Sequence, residues 1–202
     1  MIDCYCLCCH KSLRYENDLL SMFYVDDVIC SKCRDCLKYK PISFNLNGLK
    51  VNSLYPYDGH VRELLIQYKE SKDEALFPIF LWPHINKLRK KYKSYTLIPV
   101  PSSSEKNKDR GFKTVEEIFG CLNLEFADVL EKTSNVNQKH LHQSERHKIK
   151  SYIRLKDTCL HGKKFLLVDD IVTTGETLKA CYKLLKPHCK ELKALTIAYT
   201  KR

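Results

Sequence analysis

The segment from Phe165 to Leu178 reads Phe-Leu-Leu-Val-Asp-Asp-Ile-Val-Thr-Thr-Gly-Glu-Thr-Leu. Its first four residues are apolar, which predicts a short strand that is covered on both faces of a sheet. Threonine and glycine follow the acidic pair and predict a tight turn, after which a helical pattern begins. We expect one side of that helix to face the core, with Leu178, Cys181, Tyr182 and Leu185.

The turn after this strand has the composition of an anion site. The first backbone N–H groups of a helix have no partner within the helix, and the helix dipole favours negative charge there. Threonine hydroxyl groups can add hydrogen bonds around the same anion. The residues predicted to bind phosphate here are Thr173, Thr174, Gly175 and Thr177.

Two adjacent acids, Asp169 and Asp170, precede this turn. Their carboxylates would repel a bare inorganic anion, but they accept the hydrogen bonds that sugar hydroxyl groups donate. A 5-phosphorylated ribose satisfies both features, with its phosphate on the turn and its 2- and 3-hydroxyl groups on the acids. The alternative is a strand end capped by aspartate and followed by a threonine-rich helix start.

The chain has 202 residues and a formal net charge of +11. This charge suggests polyanionic partners, namely nucleotides, nucleic acid or phosphosugars, and a merely basic surface is the alternative. No apolar run approaches the length of a membrane span, and the N-terminus lacks the apolar core of a signal peptide. We therefore expect a soluble, cytoplasmic protein.

Seven of the eleven cysteines fall within the first 36 residues. Two separate Cys-x-x-Cys units are typical of a structural zinc site, and a segment this small needs metal to supply its folding energy. The preferred Zn²⁺ ligands are Cys6, Cys9, Cys30 and Cys33. Three neighbours keep the exact set open: Cys4, Cys8 and Cys36. Free thiols in a partly ordered tail are the alternative.

The pattern along the chain divides it into residues 1–40, a zinc-ribbon segment, and residues 50–202, an α/β domain. We predict a connector over 38–52 and an edge strand at 53–57. Further strands are expected at 95–100, 126–130 and 190–199. Helices are expected from Gly59, over 74–92 with proline interruptions, and over 114–122. The polar segment 102–111 is expected to be a mobile loop. Strands alternating with helices predict a doubly wound, mainly parallel sheet, with its ligand at the carboxyl ends of the strands.

A basic cluster ends the helical segment 74–92, with Arg89, Lys90, Lys91 and Lys93. Such a cluster is usually a solvated face with favourable charge at a helix C-terminus. Contact with a nucleic-acid backbone is the alternative.

Motifs in a fixed order extend over most of the chain. Val168 to Thr177 resembles the PRPP-binding signature of type I phosphoribosyltransferases. The cysteine pairs and further motifs make the whole chain similar to the ComF family of late competence proteins. These further motifs are Tyr55-Pro-Tyr57, Tyr68-Lys69, Ile98-Pro-Val-Pro101, Arg110-Gly-Phe112, Gln138 and Arg146.

The resemblance implies an N-terminal zinc ribbon joined to a phosphoribosyltransferase domain that binds PRPP. It assigns Asp169 and Asp170 the catalytic role of orienting the ribose ring. Mg²⁺ would accompany PRPP and neutralise its pyrophosphate. The cations expected to meet that pyrophosphate are Lys69, Lys72 and Arg110. The implied partners are PRPP, single-stranded DNA and DNA-uptake proteins.

Five positions depart from the family pattern in the loops around the site: Glu70, Ser71, Lys113, Thr114 and Ile149. These departures bear on enzymatic turnover of PRPP more than on binding of its sugar phosphate. Two other functions therefore stay open beside a role in natural transformation. One is a nucleotide-salvage phosphoribosyltransferase that acts on a small nucleobase, and the other is a PRPP-sensing regulator.

Overall fold

The structure is a computed structural model that describes residues 5–13, 28–102, 104–133, 152–156, 160 and 163–200. Seven strands are present in this part of the chain: β1 (Ile42–Leu46), β2 (Leu49–Pro56), β3 (Thr96–Pro99), β4 (Leu130–Thr133), β5 (Tyr152–Leu155), β6 (Lys164–Val172) and β7 (Glu191–Tyr199). The α-helices are α1 (Ser31–Cys36), α2 (Gly59–Glu70), α3 (Ile85–Tyr92), α4 (Ser104–Arg110), α5 (Thr114–Gly120) and α6 (Glu176–Leu185). Short 3-10 helices cover Glu74–Phe80, Trp82–His84 and Lys186–His188.

Five strands form the central sheet in the order β1-β2-β7-β6-β3. The pairs β2–β7, β7–β6 and β6–β3 are parallel, whereas β1 runs antiparallel to β2. Parallel strands need crossover connections, and the helices that provide them cover both faces of the sheet. The predicted α/β fold with a mainly parallel sheet is confirmed.

The strand β6 separates two halves of the core. Leu166 and Val168 join a cluster on one face with residues of α2, α3 and α5. Phe165 and Leu167 join a second cluster on the other face, which includes the buried side of α6. This alternation follows from the two-residue period of a strand, and it decides on which face each later residue of β6 lies.

Several predicted elements are confirmed. The helix α2 buries the residues expected from its spacing, Val61, Leu64, Leu65 and Tyr68. The segment 74–92 is divided at its prolines into two 3-10 helices and α3. Helix α5 and strand β7 lie within the ranges predicted for them.

The predicted connector over 38–52 is wrong, since most of it forms the β1–β2 hairpin. Asn47 and Gly48 occupy its turn with φ values of 52° and 95°, and Leu46 pairs with Leu49 across it. Asn-Gly between two apolar segments is a strong signal for such a turn. The strand after the turn is also not an edge strand, because β2 lies between β1 and β7.

Other segments differ in part from expectation. The polar segment 102–111 contains helix α4 rather than only a loop. Strand β3 is last in the order of the five-stranded sheet, and on its other side Leu97 makes a single parallel bridge to Phe126. The predicted strand 126–130 is reduced to that bridge, and the antiparallel β4–β5 pair begins at Leu130.

The cysteine-rich segment packs onto the core of the α2 face. Cys6, Ile29 and Leu37 are buried in the same cluster as Leu54 and residues of α2. The division of the chain into residues 1–40 and 50–202 stays a prediction. Within the described ranges, no helix has both the length and the apolar character that crossing a bilayer requires.

Candidate functional site

A cleft of about 330 Å³ opens at the carboxyl end of β6. Five of the residues predicted for the site line it: Lys69, Arg110, Asp169, Asp170 and Thr177. They come from α2, α4, β6 and α6, so segments more than a hundred residues apart in the chain meet here. The carboxyl ends of parallel strands are where ligands bind in open α/β sheets.

The two acids point to opposite faces of β6, as neighbouring residues in a strand do. Asp170 lies on the α2 side, where its carboxylate accepts a contact of 2.5 Å from the Lys69 ammonium. Both side chains are mostly covered, with 15% of Lys69 and 17% of Asp170 exposed. Lys69 is therefore already held by an acid in this structure.

Asp169 lies on the α6 side of the same strand. Its carboxylate accepts a hydrogen bond of 2.9 Å from the backbone N–H of Asp170. Burial, followed by the charge of Asp170, raises the pKa of Asp169 well above its usual range, although that hydrogen bond and Lys69 oppose the shift. Burial and the charge of Asp169 also raise the pKa of the Cys181 thiol to about 12.

The turn between β6 and α6 depends on a glycine. Gly175 has a φ of 75° and caps α6, and a Cβ atom there would lie only 2.5 Å from Cδ2 of Leu46. Leu46 belongs to the β1–β2 hairpin, whose Gly48 in turn packs against the Tyr182 side chain of α6. The β1–β2 hairpin therefore packs so closely against the turn that a side chain at position 175 would collide with it.

Three of the predicted phosphate-binding residues, Thr173, Thr174 and Gly175, form this turn but do not line the cleft itself. Thr173 and Thr174 are exposed, whereas Gly175 is buried under Leu46. Thr177 in the first turn of α6 reaches the cleft. The turn and the cleft are thus contiguous through the N-terminus of α6.

Of the other predicted cations, Arg110 reaches the cleft and Lys72 does not. The Arg110 guanidinium donates to Thr114 Oγ1 at 3.4 Å and pairs with Glu70 at 3.3 Å. Lys72 lies outside the lining and instead donates to the backbone carbonyl oxygen of Asp109. It connects the end of α2 to α4 from the outside.

Several residues that line the cleft were not among the predicted site residues. They are Val100, Pro101 and Ser102 after β3, Thr114 and Val115 of α5, Lys132 of β4 and Ile171. Pro101 had a usable signal, because it directly follows the predicted strand 95–100, and ligands bind at the carboxyl ends of such strands. Lys132 had no such signal in the sequence, since its position depends on where the β4–β5 pair packs relative to the cleft. Gln138 and Arg146 lie outside the described residues.

A second candidate centre lies in the N-terminal segment. The sulfur atoms of Cys6, Cys9, Cys30 and Cys33 all lie within 4.8 Å of one another, and those of Cys9 and Cys30 are 3.8 Å apart. Tetrahedral zinc with Zn–S bonds of about 2.3 Å needs sulfur atoms roughly 3.8 Å apart. The group therefore fits a metal ion with four thiolate ligands.

The backbone also suits negatively charged sulfur at Cys6. Burial alone would raise the pKa of the Cys6 thiol, but backbone N–H groups of Cys30, Cys9 and Cys8 lower it to about 7. The Cys30 N–H donates to Cys6 Sγ at 3.3 Å. Cys36 is exposed on α1 and outside the group, and Cys4 lies outside the described residues.

Comparison with known proteins defines the class of this chain. The family model described as "Phosphoribosyl transferase domain" matches residues 90–201, which is more than half of the chain. The chain belongs to the phosphoribosyl transferase domain family. The match includes β6, the acids and the turn, and it begins in α3.

Two curated relatives are more specific. The chain is 29% identical to Competence protein ComFC of Streptococcus pneumoniae over 78% of its length and 70% of that protein. It is 28% identical to Competence protein ComFC of Bacillus subtilis over 72% of its length and 62% of that protein. The resemblance to the ComF family is therefore confirmed, and the cysteine group fits the zinc ribbon expected for it.

The solved structures that the chain matches include two phosphoribosyltransferases. One is a crystal structure of adenine phosphoribosyltransferase, which is 15% identical to this chain with a TM-score of 0.45. The alignment covers 82% of this chain and 88% of that chain. The other is a hypoxanthine phosphoribosyltransferase from Staphylococcus aureus, which is 14% identical with a TM-score of 0.37. That alignment covers 86% of this chain and 77% of the other.

Proposed function

We propose that this chain is a ComF-like protein of natural transformation that binds PRPP in the cleft at the end of β6. The observation that carries the proposal is the meeting of Asp169, Asp170 and Thr177 with three cationic side chains in one cleft. Cations, a helix N-terminus and hydroxyl acceptors are together the partners that a phosphorylated ribose needs. The phosphoribosyl transferase domain match over 90–201 supports the same ligand class.

In this proposal the 5-phosphate of PRPP lies on the turn from Thr173 to Thr177, at the N-terminus of α6, where the helix dipole favours negative charge. The ribose hydroxyl groups donate to Asp169 and Asp170. Asp170 then exchanges its contact with Lys69 for a ligand hydroxyl, which releases the ammonium toward the pyrophosphate. Arg110 and Lys132 are the other cations that line the cleft, and Lys72 would have to leave Asp109 to join them.

Metal ions have two places in this proposal. The four cysteines of the N-terminal segment would hold a structural Zn²⁺. Mg²⁺ would be bound mainly by the pyrophosphate oxygens of PRPP, since it prefers phosphate oxygens and few protein ligands. Of the described residues, two carboxylates line the cleft, and one of them is paired with Lys69, which fits such a ligand-borne ion.

The proposed biological role is the handling of incoming single-stranded DNA in the cytoplasm, together with DNA-uptake proteins. The printed names of both curated relatives refer to competence. The net charge of +11 supports binding to a phosphate backbone.

Calorimetric titration with PRPP and Mg²⁺ tests the cleft. Asp170→Asn should weaken PRPP binding roughly 10- to 100-fold, because a hydrogen bond to a charged group is worth about 1.5–3 kcal/mol. The Asn side chain keeps the size of Asp and can still accept from Lys69. Glu63→Gln, which neutralises an exposed carboxylate elsewhere on α2, should leave PRPP affinity unchanged. Equal affinities for Asp170→Asn and the wild type would contradict the assignment.

A nucleotide-salvage phosphoribosyltransferase is the second candidate, because the matched family model is named for that transfer. Pyrophosphate release after mixing the protein with PRPP and purine or pyrimidine bases would support it. PRPP binding without release in any of these mixtures would favour a binding protein or a regulator.

A further inference from the structure

The exposed face of α3 carries cations that the PRPP cleft does not use. His84 directly precedes α3, and Lys87 and Lys91 follow at spacings that place all three on one side of the helix. Both lysines are exposed. Within the described residues, neither has a carboxylate partner.

Two strands of the sheet extend this surface. Lys50 of β2 and Lys193 of β7 are direct partners in the parallel register. The Lys91 ammonium donates to Oδ1 of Asn52 at 3.4 Å, which brings the end of α3 to the same edge of the sheet. Burial, followed by the charges of Lys50, Lys193 and Lys87, lowers the pKa of Lys91. We call Lys50, Lys87, Lys91 and Lys193 the lysine surface.

The charges of the lysine surface are poorly compensated within the protein. Like charges at i and i+4 of a helix destabilise it, as Lys87 and Lys91 do here. Among the ion pairs of the described residues, only Lys193 of this surface has an acid partner, Glu191 at 2.7 Å, and that acid is shared with Lys164. A bound polyanion would remove the repulsion, because phosphates neutralise ammonium groups and release their own counterions.

An aromatic pocket lies at the other end of the same helix face. Its volume is about 280 Å³, and its lining includes Tyr39, Tyr55, His84 and Arg34. Tyr39 is 39% exposed as a residue, and its ring stacks on His84, with 3.6 Å between ring centroids. Burial, followed by the charges of Lys87 and Arg34, lowers the pKa of His84 to about 4, so the imidazole is neutral at pH 7.

The wall of the pocket also contains a buried polar group whose hydrogen-bonding capacity is unused among the described residues. Tyr55 is 1% exposed, and its hydroxyl group has no hydrogen-bond partner among the described residues. A buried hydroxyl without a partner carries a desolvation cost that a ligand with a polar edge can remove. A nucleobase has both that edge and a flat face for stacking.

We propose that single-stranded nucleic acid binds along α3, with a base in the aromatic pocket and the adjoining phosphates on the lysine surface. The distance from His84 to Lys91 along the helix is about 10 Å at 1.5 Å per residue. A stacking platform beside a basic track is the general form of single-strand binding, whereas duplex DNA keeps its bases within the stack. This inference rests on the DNA binding in the proposed function and gives it a location.

The proposed surface is separate from the PRPP cleft. Lys50 and Lys193 lie near the amino ends of their strands, whereas Asp169 and Asp170 lie at the carboxyl end of β6. In the register of the sheet, Lys193 pairs with Leu166 and Thr196 with Asp169, a separation of about 10 Å along the strands. The two sites can therefore be altered independently.

Fluorescence anisotropy with a labelled oligothymidylate, measured across a series of salt concentrations, tests the lysine surface. The single-strand salt slope is about 0.7 per phosphate contact, so Lys87→Gln with Lys91→Gln should reduce the slope by about 1.4. The matched control is Lys183→Gln with Lys186→Gln, which removes the same charge from exposed positions at the end of α6. This control should change the slope much less.

Substitutions at Tyr39 test the pocket. Tyr39→Leu fills similar space without an aromatic face and should weaken oligonucleotide binding roughly 5- to 150-fold, the range expected for one stacked base. Tyr39→Phe keeps the ring and should bind as the wild type does. PRPP calorimetry should be the same for all these variants, which shows that they are folded.

The outcomes separate the inference from the function beneath it. If the wild type binds the oligonucleotide but the Lys87/Lys91 variant keeps the full salt slope, the location is wrong and the DNA-binding proposal stands. If the wild type does not bind the oligonucleotide even at low salt, both the proposed location and the DNA-binding proposal are wrong. Loss of PRPP binding in the lysine or tyrosine variants would contradict the separation of the two sites.

Discussion

Replacing Gly175 by alanine should destabilise the protein through two separate effects. A residue with a side chain pays about 1–2 kcal/mol to hold the left-handed conformation, and Gly175 has a φ of 75°. In addition, the new methyl group would lie 2.5 Å from Cδ2 of Leu46, where about 3.5–4.0 Å is normal. Overpacking of this kind costs about 1–3 kcal/mol, so we expect a total loss of about 2–5 kcal/mol.

Gly111 provides the matched control. Its φ is 86°, and nothing lies within 4 Å of the Cβ atom that alanine would add. Gly111→Ala should therefore cost only the conformational part, about 1–2 kcal/mol. Alanine also restricts the unfolded chain at both positions, and this smaller effect cancels in the comparison.

A double-mutant cycle with Leu46→Ala isolates the contact. Leu46 is 3% exposed, so its truncation alone should cost about 2–5 kcal/mol. Removing the leucine also removes the obstacle, so the double variant should be more stable than the sum of the single effects predicts, by about 1–3 kcal/mol. Urea unfolding followed by circular dichroism, with zinc present throughout, measures all four proteins.

Additive losses in this cycle would refute the reasoning, because they would mean that Leu46 does not limit the approach to the turn. Equal losses for Gly175→Ala and Gly111→Ala would have the same meaning. PRPP calorimetry on Gly175→Ala adds a functional measurement. If the hairpin shapes the phosphate turn, PRPP affinity should fall in this variant and recover in part when Leu46 is shortened.

Two further predictions concern the cysteine group and the acid pair. Cys30→Ser together with Cys33→Ser should abolish bound zinc in elemental analysis, whereas Cys36→Ser should retain it; zinc retained by the double variant would remove the proposed site. The folded protein holds the Asp169 proton more tightly than the unfolded chain does, so this group lowers stability as pH rises above the unfolded pKa of about 3.9. Asp169→Asn keeps the acceptor for the Asp170 N–H but removes this titration. Its free energy of unfolding, measured with urea, should therefore increasingly exceed that of the wild type as pH rises above 4. Free energies of unfolding that change in parallel with pH for the two proteins would contradict the raised pKa.

Local patterns were sufficient for several elements of the fold. The apolar segment from Phe165 to Val168 and the helix that begins after Gly175 follow from periodicity and turn composition over a few residues. The same is true of α2, whose buried side follows the helical repeat. The hairpin turn at Asn47 and Gly48 also had a local signal, and the predicted connector overlooked it.

Contacts between distant segments needed the tertiary structure. Nothing in the sequence around Asp170 indicates that it pairs with Lys69, or that Leu46 lies against Gly175. Lysines 50, 87, 91 and 193 are spread over a large part of the chain, and only the register of β2 with β7 and the position of α3 bring them together. The physical reason is that short-range periodicity sets which residues face inward in each helix or strand, whereas the neighbours of each face depend on how all the elements pack at once.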